Sequence, residues 1–422
     1  MSRRETEVRV VGFDCAEEAH EAVLLDASGE EQLKLSVVNR REMVEEALGE
    51  LLLALPKGAK LVVVVESKRS HGRLVCDVAF GLGCDVWQVN TVALNHYRNV
   101  EGQPRKTDSW DAYLAARMVF LRLKGSREVA ESLPEERVLC RLTRTHARLK
   151  DDRTAITQRL RAILLELAPE VLHRSWNGPK YDSKAMVYIL KRWPAFDGLE
   201  RAQLRSIEKI LHRCRYGQAA TEVAELVREM GKRISMEPFE RQAVSLEMTV
   251  LLEQLEVIDS LLVKVDREIE KQVEKHPVGI KLLEMPGIAH LTAGILIGEL
   301  LPVARHASEG ESATYSGVTP LARKSGKSLN RPRLARGVNK RILHGLYLSS
   351  VSAVKCSVID RAYYQKKLND YAGHPAKNKA AFIALSRQRH KVIFKLLTTD
   401  ARYDKEKLIA DHLNRVHSAK AA

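Results

Sequence analysis

Aromatic side chains are scarce, at 5% of the 422 residues. That argues against binding single-stranded nucleic acid by stacking bases on aromatic platforms. It leaves Lys and Arg contacts to backbone phosphate as the alternative. Cysteines are few and scattered: Cys15, Cys76, Cys84, Cys140, Cys214 and Cys356 form no C-x-x-C pair. Neither a zinc site nor a disulfide framework is indicated. The fourteen histidines include no H-E-x-x-H. Met1 to Val8 is charged, unlike an apolar signal region. No apolar run approaches membrane-spanning length, so no membrane partner is expected. The setting expected is reducing and cytoplasmic. There is no internal repeat, low-complexity tract or P-loop.

Acidic residues are depleted in one part of the chain only. Residues 1–280 hold 44 Lys and Arg against 44 Asp and Glu, whereas 281–422 hold 25 against 10. The whole net charge of +15 therefore lies in the C-terminal third. A basic segment beside a neutral one is the pattern of a nucleic-acid-binding domain joined to another domain.

Residues 7–125 read as alternating strands and helices. Glu7 to Phe13 is an apolar strand ending at Asp14. Ala19 to Asp26 and Gln32 to Val38 follow as strands, and Glu42 to Leu55 has helical periodicity. Lys60 to Val65 is a Val-rich run suited to burial on both faces, and it ends at Glu66. A helix near His71 to Leu82, a strand over Asp85 to Val89 and a helix from Asp108 complete the set. Three leading strands followed by β–α alternation is the RNase H-like order.

Two long helical stretches come next, over about 134–175 and 239–275. Leu142, Leu149, Ile156 and Ile163 recur every seven residues. Val244, Met248, Leu251, Leu255, Ile258, Leu262, Val265 and Ile269 step by four and three, as a heptad seam does. The expectation is a coiled-coil region over 134–275, with a mixed insertion at about 176–238. The helices either pair antiparallel within the chain or dimerise through the seam. Residues 280–350 read as a compact unit with Gly-, Ser- and Arg-rich loops, and 351–418 as a basic helical tail.

Four carboxylates occupy telling positions. Asp14 and Glu66 close neighbouring strands. Asp108 and Asp111 lie three apart behind Thr107, a plausible N-cap, and so share a helix face. Carboxylates converging at one sheet edge would repel one another unless a cation lies between them. Hard oxygen ligands suit Mg²⁺ or Mn²⁺, which can clamp the oxygens of a phosphodiester. Any one of these acids alone would be an ordinary capping or strand-end residue. The combination is what carries the reading.

Downstream, Leu282 to Ala293 resembles a helix-hairpin-helix, with Ala289 where the turn's second glycine is usual. Phosphate gripping and simple packing are both open for it. Then come Tyr315-Ser316-Gly317-Val318-Thr319-Pro320 and Arg323-Lys324-Ser325-Gly326-Lys327, followed by Arg331, Arg333, Arg336, Gly337, Asn339, Lys340 and Arg341. A serine beside glycine amid cations can approach a phosphate closely. Ser-Gly in a loop is otherwise usually only a turn.

Taken together, the strand with Asp14, the strand-end Glu66 and Lys106-Thr107-Asp108-x-x-Asp111-Ala112 resemble the acidic domain of insertion sequence family 110 transposases. Pro286-Gly287-Ile288, Tyr315-x-Gly317-Val318-x-Pro320, Ser325-Gly326 and the run through Gly337-Asn339-Lys340-Arg341 resemble that family's second domain. The resemblance spans about 8 to 350. It implies that Asp14, Glu66, Asp108 and Asp111 bind metal, and that Ser325 attacks DNA to form a phosphoserine intermediate. Ser316 and Ser328 match positions without that role. It implies as partners donor and target DNA, a non-coding guide RNA and further copies of the chain, as a dimer or tetramer whose active site draws on different subunits. Arg323, Lys324, Lys327, Arg331, Arg333, Arg336, Lys340 and Arg341 are the expected nucleic-acid contacts. The setting implied is the nucleoid of a bacterial or archaeal cell. The sequence departs from the family after Glu66, where Ser67-Lys68-Arg69-Ser70-His71-Gly72 replaces a Thr-Gly pair and an aromatic. The rival readings are a junction-resolving nuclease that uses water and a non-catalytic nucleic-acid-binding regulator.

Overall fold

The computed structural model describes residues 7–67, 70–101, 107–216, 220–234, 236–319, 324–325, 329–330 and 337–404. They fall into two compact units. Unit 1 takes Met1–Pro134 and Leu300–Val338, and unit 2 takes Glu135–Glu299 and Asn339–Ala422. The stretch 280–350 thus contributes to both.

Unit 1 is built on a six-stranded mixed sheet. Its strands are β1 (Val8–Cys15), β2 (Ala19–Leu25), β3 (Glu31–Val38), β4 (Lys60–Val65), β5 (Asp85–Val89) and β6 (Ser126–Glu128), in the order β3-β2-β1-β4-β5-β6. Strands β3, β2 and β1 pair antiparallel; β1, β4 and β5 pair parallel; β6 returns antiparallel on β5. The helices are α1 (Arg41–Leu53), α2 (Arg73–Gly81), α3 (Thr91–Val100) and α4 (Asp108–Phe120). The strands expected from the sequence are all present. Helix α3 and strand β6 were not anticipated: α3 is capped by Asn90 but buries little beyond Leu94, and β6 has only three residues.

The run Val62 to Val65 is buried on both faces because helices cover both. Val11, Phe13, Val63 and Val65 join α1 and α2 in one core. Val10, Val62 and Val64 join α4 in the other. Single-residue alternation along a strand dictates this split.

Unit 2 is helical. Helix α5 (Pro134–Leu167) and α9 (Pro238–Lys275) are its two long members. They lie antiparallel, since His146 pairs with Asp266 and Arg153 with Asp259. Between them in sequence, α6 (Lys184–Arg192), α7 (Leu204–Arg213) and α8 (Ala220–Gly231) form a core with Ile156, Leu160, Leu164, Leu251 and Leu255. This insertion is helical among the described residues, with no strand.

Helices α10 (Pro277–Leu283) and α11 (His290–Leu300) follow. The chain then enters unit 1 with α12 (Glu309–Tyr315) and the short hairpin of β7 (Lys324–Ser325) and β8 (Leu329–Asn330). It returns to unit 2 with α13 (Lys340–Cys356), α14 (Val358–Asp370) and α15 (Lys377–Thr398). No single helix among the described residues is long and apolar enough to cross a membrane.

Candidate active site

The placement of the four acids follows from alternation and one close packing contact. Asp14 continues the Val10–Gly12 series on the α4 face of β1, and Glu66 continues the Val62–Val64 series of β4. Because Phe13 pairs with Val65, the next rung sets Asp14 beside Glu66. A methyl group on Gly12 would lie 2.1 Å from the Ala112 carbonyl oxygen and 2.9 Å from the Ala116 nitrogen, so glycine lets α4 rest directly on β1. At the other end of the helix, Arg117 donates to the Gly29 carbonyl at 3.2 Å, in the β2–β3 turn beside the start of β1. Helix α4 therefore runs against β1 and brings its first turn to the end of the sheet that holds Asp14 and Glu66.

That first turn contains Asp108 and Asp111, and Thr107 accepts from the Trp110 amide as the expected cap. Asp108 is exposed, while Asp111 is 7% exposed. Arg98 of α3 donates from Nε at 2.9 Å and Nη2 at 2.5 Å to one oxygen of Asp111. A second electrostatic marker sits on the opposite face. Burial pushes the Cys15 thiol well above its usual range, with Cys76, Asp14 and Glu66 adding to the rise.

The four acids share one face and one end of the sheet, but no three of them have oxygens within 4.8 Å of one another. The trio that meets this test among the described residues is Glu270, Glu274 and His290 in unit 2. His290 Nε2 lies 3.4 Å from Glu274. Glu270 and Glu274 are visible in the sequence as an i, i+4 pair, but the histidine comes from another helix, and spacing alone could not reveal it.

The serine-bearing segment is tied to the same sheet inside unit 1. Gln88 of β5 donates to the Glu66 carbonyl at 3.0 Å, and Arg127 of β6 donates to Gln88 at 3.1 Å. The Arg127 guanidinium lies 5.7 Å from the centre of the Tyr315 ring, at the end of α12. Ser316 next to it is completely buried, which removes it from contact with any DNA strand. Lys324 and Ser325 form β7, with Ser325 paired to Leu329. Arg323, Lys327, Arg331, Arg333 and Arg336 lie outside the described residues.

In unit 2, Lys340 and Arg341 are exposed in the first turn of α13, which has no acid there. Cations at a helix N-terminus oppose the helix dipole, so an anionic partner would relieve a local electrostatic cost. The hairpin between α10 and α11 behaves differently. Gly287 has φ +80, and a methyl group there would meet Ser349 and Ala353 backbone atoms of α13 at 2.5–2.9 Å. Arg389 takes the Pro286 carbonyl at 2.7 Å. That turn packs against α13 and α15.

Residues 11–169 match a family model described as a transposase, of the DEDD type named for IS110. Residues 280–365 match the model described as the transposase IS116/IS110/IS902 family. Among similar proteins, the uncharacterized 43.6 kDa protein of insertion element IS110 from Streptomyces coelicolor is 24% identical, covering 93% of this chain and 95% of that protein. The uncharacterized 44.8 kDa protein of insertion element IS116 from Streptomyces clavuligerus is 24% identical, covering 92% and 94%. The 42 kDa protein of insertion element IS900 from Mycobacterium paratuberculosis is also 24% identical, covering 93% and 96%. Two models in the same order, spanning the acidic strand ends and the serine-bearing segment, and relatives matched over nearly their full length show that the chain belongs to the IS110 family of transposases, enzymes that recombine DNA.

Proposed function

We propose that this transposase cuts and rejoins DNA through a phosphoserine formed on Ser325, assisted by a divalent cation held by Asp14, Glu66, Asp108 and Asp111. The observation that carries the reading is the convergence of all four acids on one face at one end of the sheet. It arises because α4 runs against β1 over Gly12. The strand order and this acidic end support reading unit 1 as an RNase H-like domain. The antiparallel pairing of α5 with α9 supports reading these two helices as a coiled coil.

The donor set fits a hard divalent cation such as Mg²⁺ or Mn²⁺, because every candidate ligand is a carboxylate oxygen. When bound, such a cation supplies Lewis-acid stabilisation of charge on the phosphate oxygens. The remaining chemistry belongs to the chain. The Ser325 hydroxyl loses its proton as its oxygen bonds to phosphorus, and the bridging ester oxygen of the DNA departs and is protonated. A hydroxyl of the recipient strand then attacks the same phosphorus, and the serine oxygen leaves and regains a proton. One ester replaces another at each step, so rejoining needs no nucleotide cofactor.

Lys324, Lys340 and Arg341, with Arg323, Lys327, Arg331, Arg333 and Arg336, hold backbone phosphates of DNA or of a structured guide RNA. The enzyme acts as a homo-oligomer, in which acids and serine can come from different subunits.

Trapping of covalent protein–DNA on a donor-end substrate in Mg²⁺ tests the reading. An adduct that disappears in Ser325→Ala and in Asp14→Asn is expected. Strand cleavage with no adduct, unchanged by Ser325→Ala, would replace it with the water-using nuclease. Neither cleavage nor exchange, with DNA still bound, would leave a regulator.

A further inference from the structure

The segment that carries Ser325 leaves unit 2 after Glu299 and re-enters it at Asn339. These two residues are bonded to each other. The Asn339 amide Nδ2 donates to Glu299 Oε2 at 2.9 Å. The same Asn339 caps α13, its Oδ1 accepting from the Arg341 and Ile342 amides at 3.1 and 3.4 Å. Both polar atoms of one side chain are thus engaged, one in starting a helix and the other in closing a loop.

Glu299 is 1% exposed, so its charge must be matched where it stands. Arg144 of α5 matches it with two bonds, Nε to Oε1 at 2.7 Å and Nη2 to Oε2 at 2.9 Å. The Cys140 thiol approaches Oε1 at 3.8 Å. Close packing of α11 on α5 makes this reach possible. A methyl group on Gly298 would lie 2.5 Å from the Cys140 backbone, and one on Gly294 would lie 3.2 Å from Thr143. The arginine, the carboxylate and the amide are therefore fixed on packed helices of one unit.

We propose that Arg144, Glu299 and Asn339 are positioning residues that clamp the base of the serine-bearing segment. This rests on Ser325 being the nucleophile. Without the clamp, the points where the segment leaves and re-enters unit 2 would lose a side-chain bond that joins them directly. With it, the two ends of the segment are held together at one base in unit 2. The nucleophile's range of positions is then narrowed before DNA arrives, the entropic saving that oriented reactants provide.

A donor–acceptor exchange tests the clamp. Asn339→Asp keeps a good capping oxygen but removes the amide donor and sets a second carboxylate against Glu299. Glu299→Gln together with Asn339→Asp restores a donor–acceptor pair at the same place with the same total charge. Two measurements are made on full-length protein. The first is the single-turnover rate of covalent adduct formation with saturating donor DNA. The second is hydrogen exchange of the amides flanking the clamp, at 299–303 and 337–343, without DNA. A hydrogen bond to a charged group governs roughly a 10- to 100-fold effect. Asn339→Asp is therefore expected to slow adduct formation and to speed exchange by at least about tenfold, and to lower the melting temperature because a second carboxylate faces the buried Glu299, with DNA affinity little changed. The double variant is expected to recover both rates.

Exchange and adduct rate both unchanged in Asn339→Asp would overturn the clamp. So would a double variant that recovers the melting temperature but not exchange. If wild-type protein forms no adduct that depends on Ser325, the serine chemistry fails, and hydrogen exchange alone still decides whether the clamp exists.

Discussion

Arg98 holds Asp111 through two donors on a single carboxylate oxygen, in a pocket where the arginine side chain is 17% exposed and the aspartate 8%. The guanidinium neutralises an acid that lies at the same end of the sheet as Asp14 and Glu66. Removing one partner of a buried ion pair strands the other and costs roughly 3–5 kcal/mol. Arg98→Ala is expected to destabilise unit 1 toward the lower end of that range, because both groups retain some solvent. Saturating Mn²⁺ should raise the melting temperature of Arg98→Ala by more than it raises that of wild type, since the cation would then neutralise Asp111. Equal shifts in the two proteins would mean that Asp111 is not a ligand.

Gly12 is where helix α4 touches the sheet. A methyl group 2.1 Å from a backbone oxygen cannot be absorbed by a rotamer change. Gly12→Ala is expected to cost about 1–3 kcal/mol, the usual penalty for overpacking. It should also lower Mn²⁺ affinity, because lifting α4 withdraws Asp108 and Asp111 from the strand-end acids. Urea denaturation and metal titration read the two effects. Stability lost with metal affinity intact would separate α4 from the metal site.

His20 is completely buried in β2, on the α1–α2 face of the sheet, and burial lowers its pKa below the usual 6.5. With the folded pKa below the unfolded one, the unfolded chain binds the extra proton first. The stabilisation is therefore complete above about pH 6.5 and is lost as pH falls below it. His146 and His276 are lowered for the same reason in unit 2. Urea midpoints at pH 7.5 and 5.5 should fall less in His20→Leu than in wild type. An identical pH dependence in the two would show that His20 is already solvated in the fold.

Lys340 and Arg341 offer a test through salt. Each phosphate contact contributes about 0.9 to the slope of log affinity against log salt on duplex DNA, and about 0.7 on single strands. The double alanine variant should lower the slope by roughly 1.4–1.8 if both residues contact phosphate. An unchanged slope would assign their exposure to ordinary solvation.

Much of unit 1 was legible in the sequence. The Val-rich run of β4, the alternation of β1 and the cap at Thr107 are local patterns, and local sterics and burial enforce them. The length and seam of α9 were legible for the same reason. Strand β6 was not, because three polar residues hold their place only by pairing with β5. The packing of the hairpin at Gly287 was not legible, since its turn lies against α13, a helix several elements later in the chain.

The sequence by itself determined which residues could do chemistry: four carboxylates at strand and helix ends, a serine among cations, and a basic C-terminal third. Side-chain type and near-neighbour spacing decide those properties. Tertiary structure alone decided that Arg98 meets Asp111, that Glu299 reaches Asn339 across the base of the serine-bearing segment, and that Glu270 and Glu274 find His290. Each of these pairings joins residues from different helices or across a long excursion of the chain. Only close packing, such as glycine against backbone at positions 12 and 298, brings them within bonding distance.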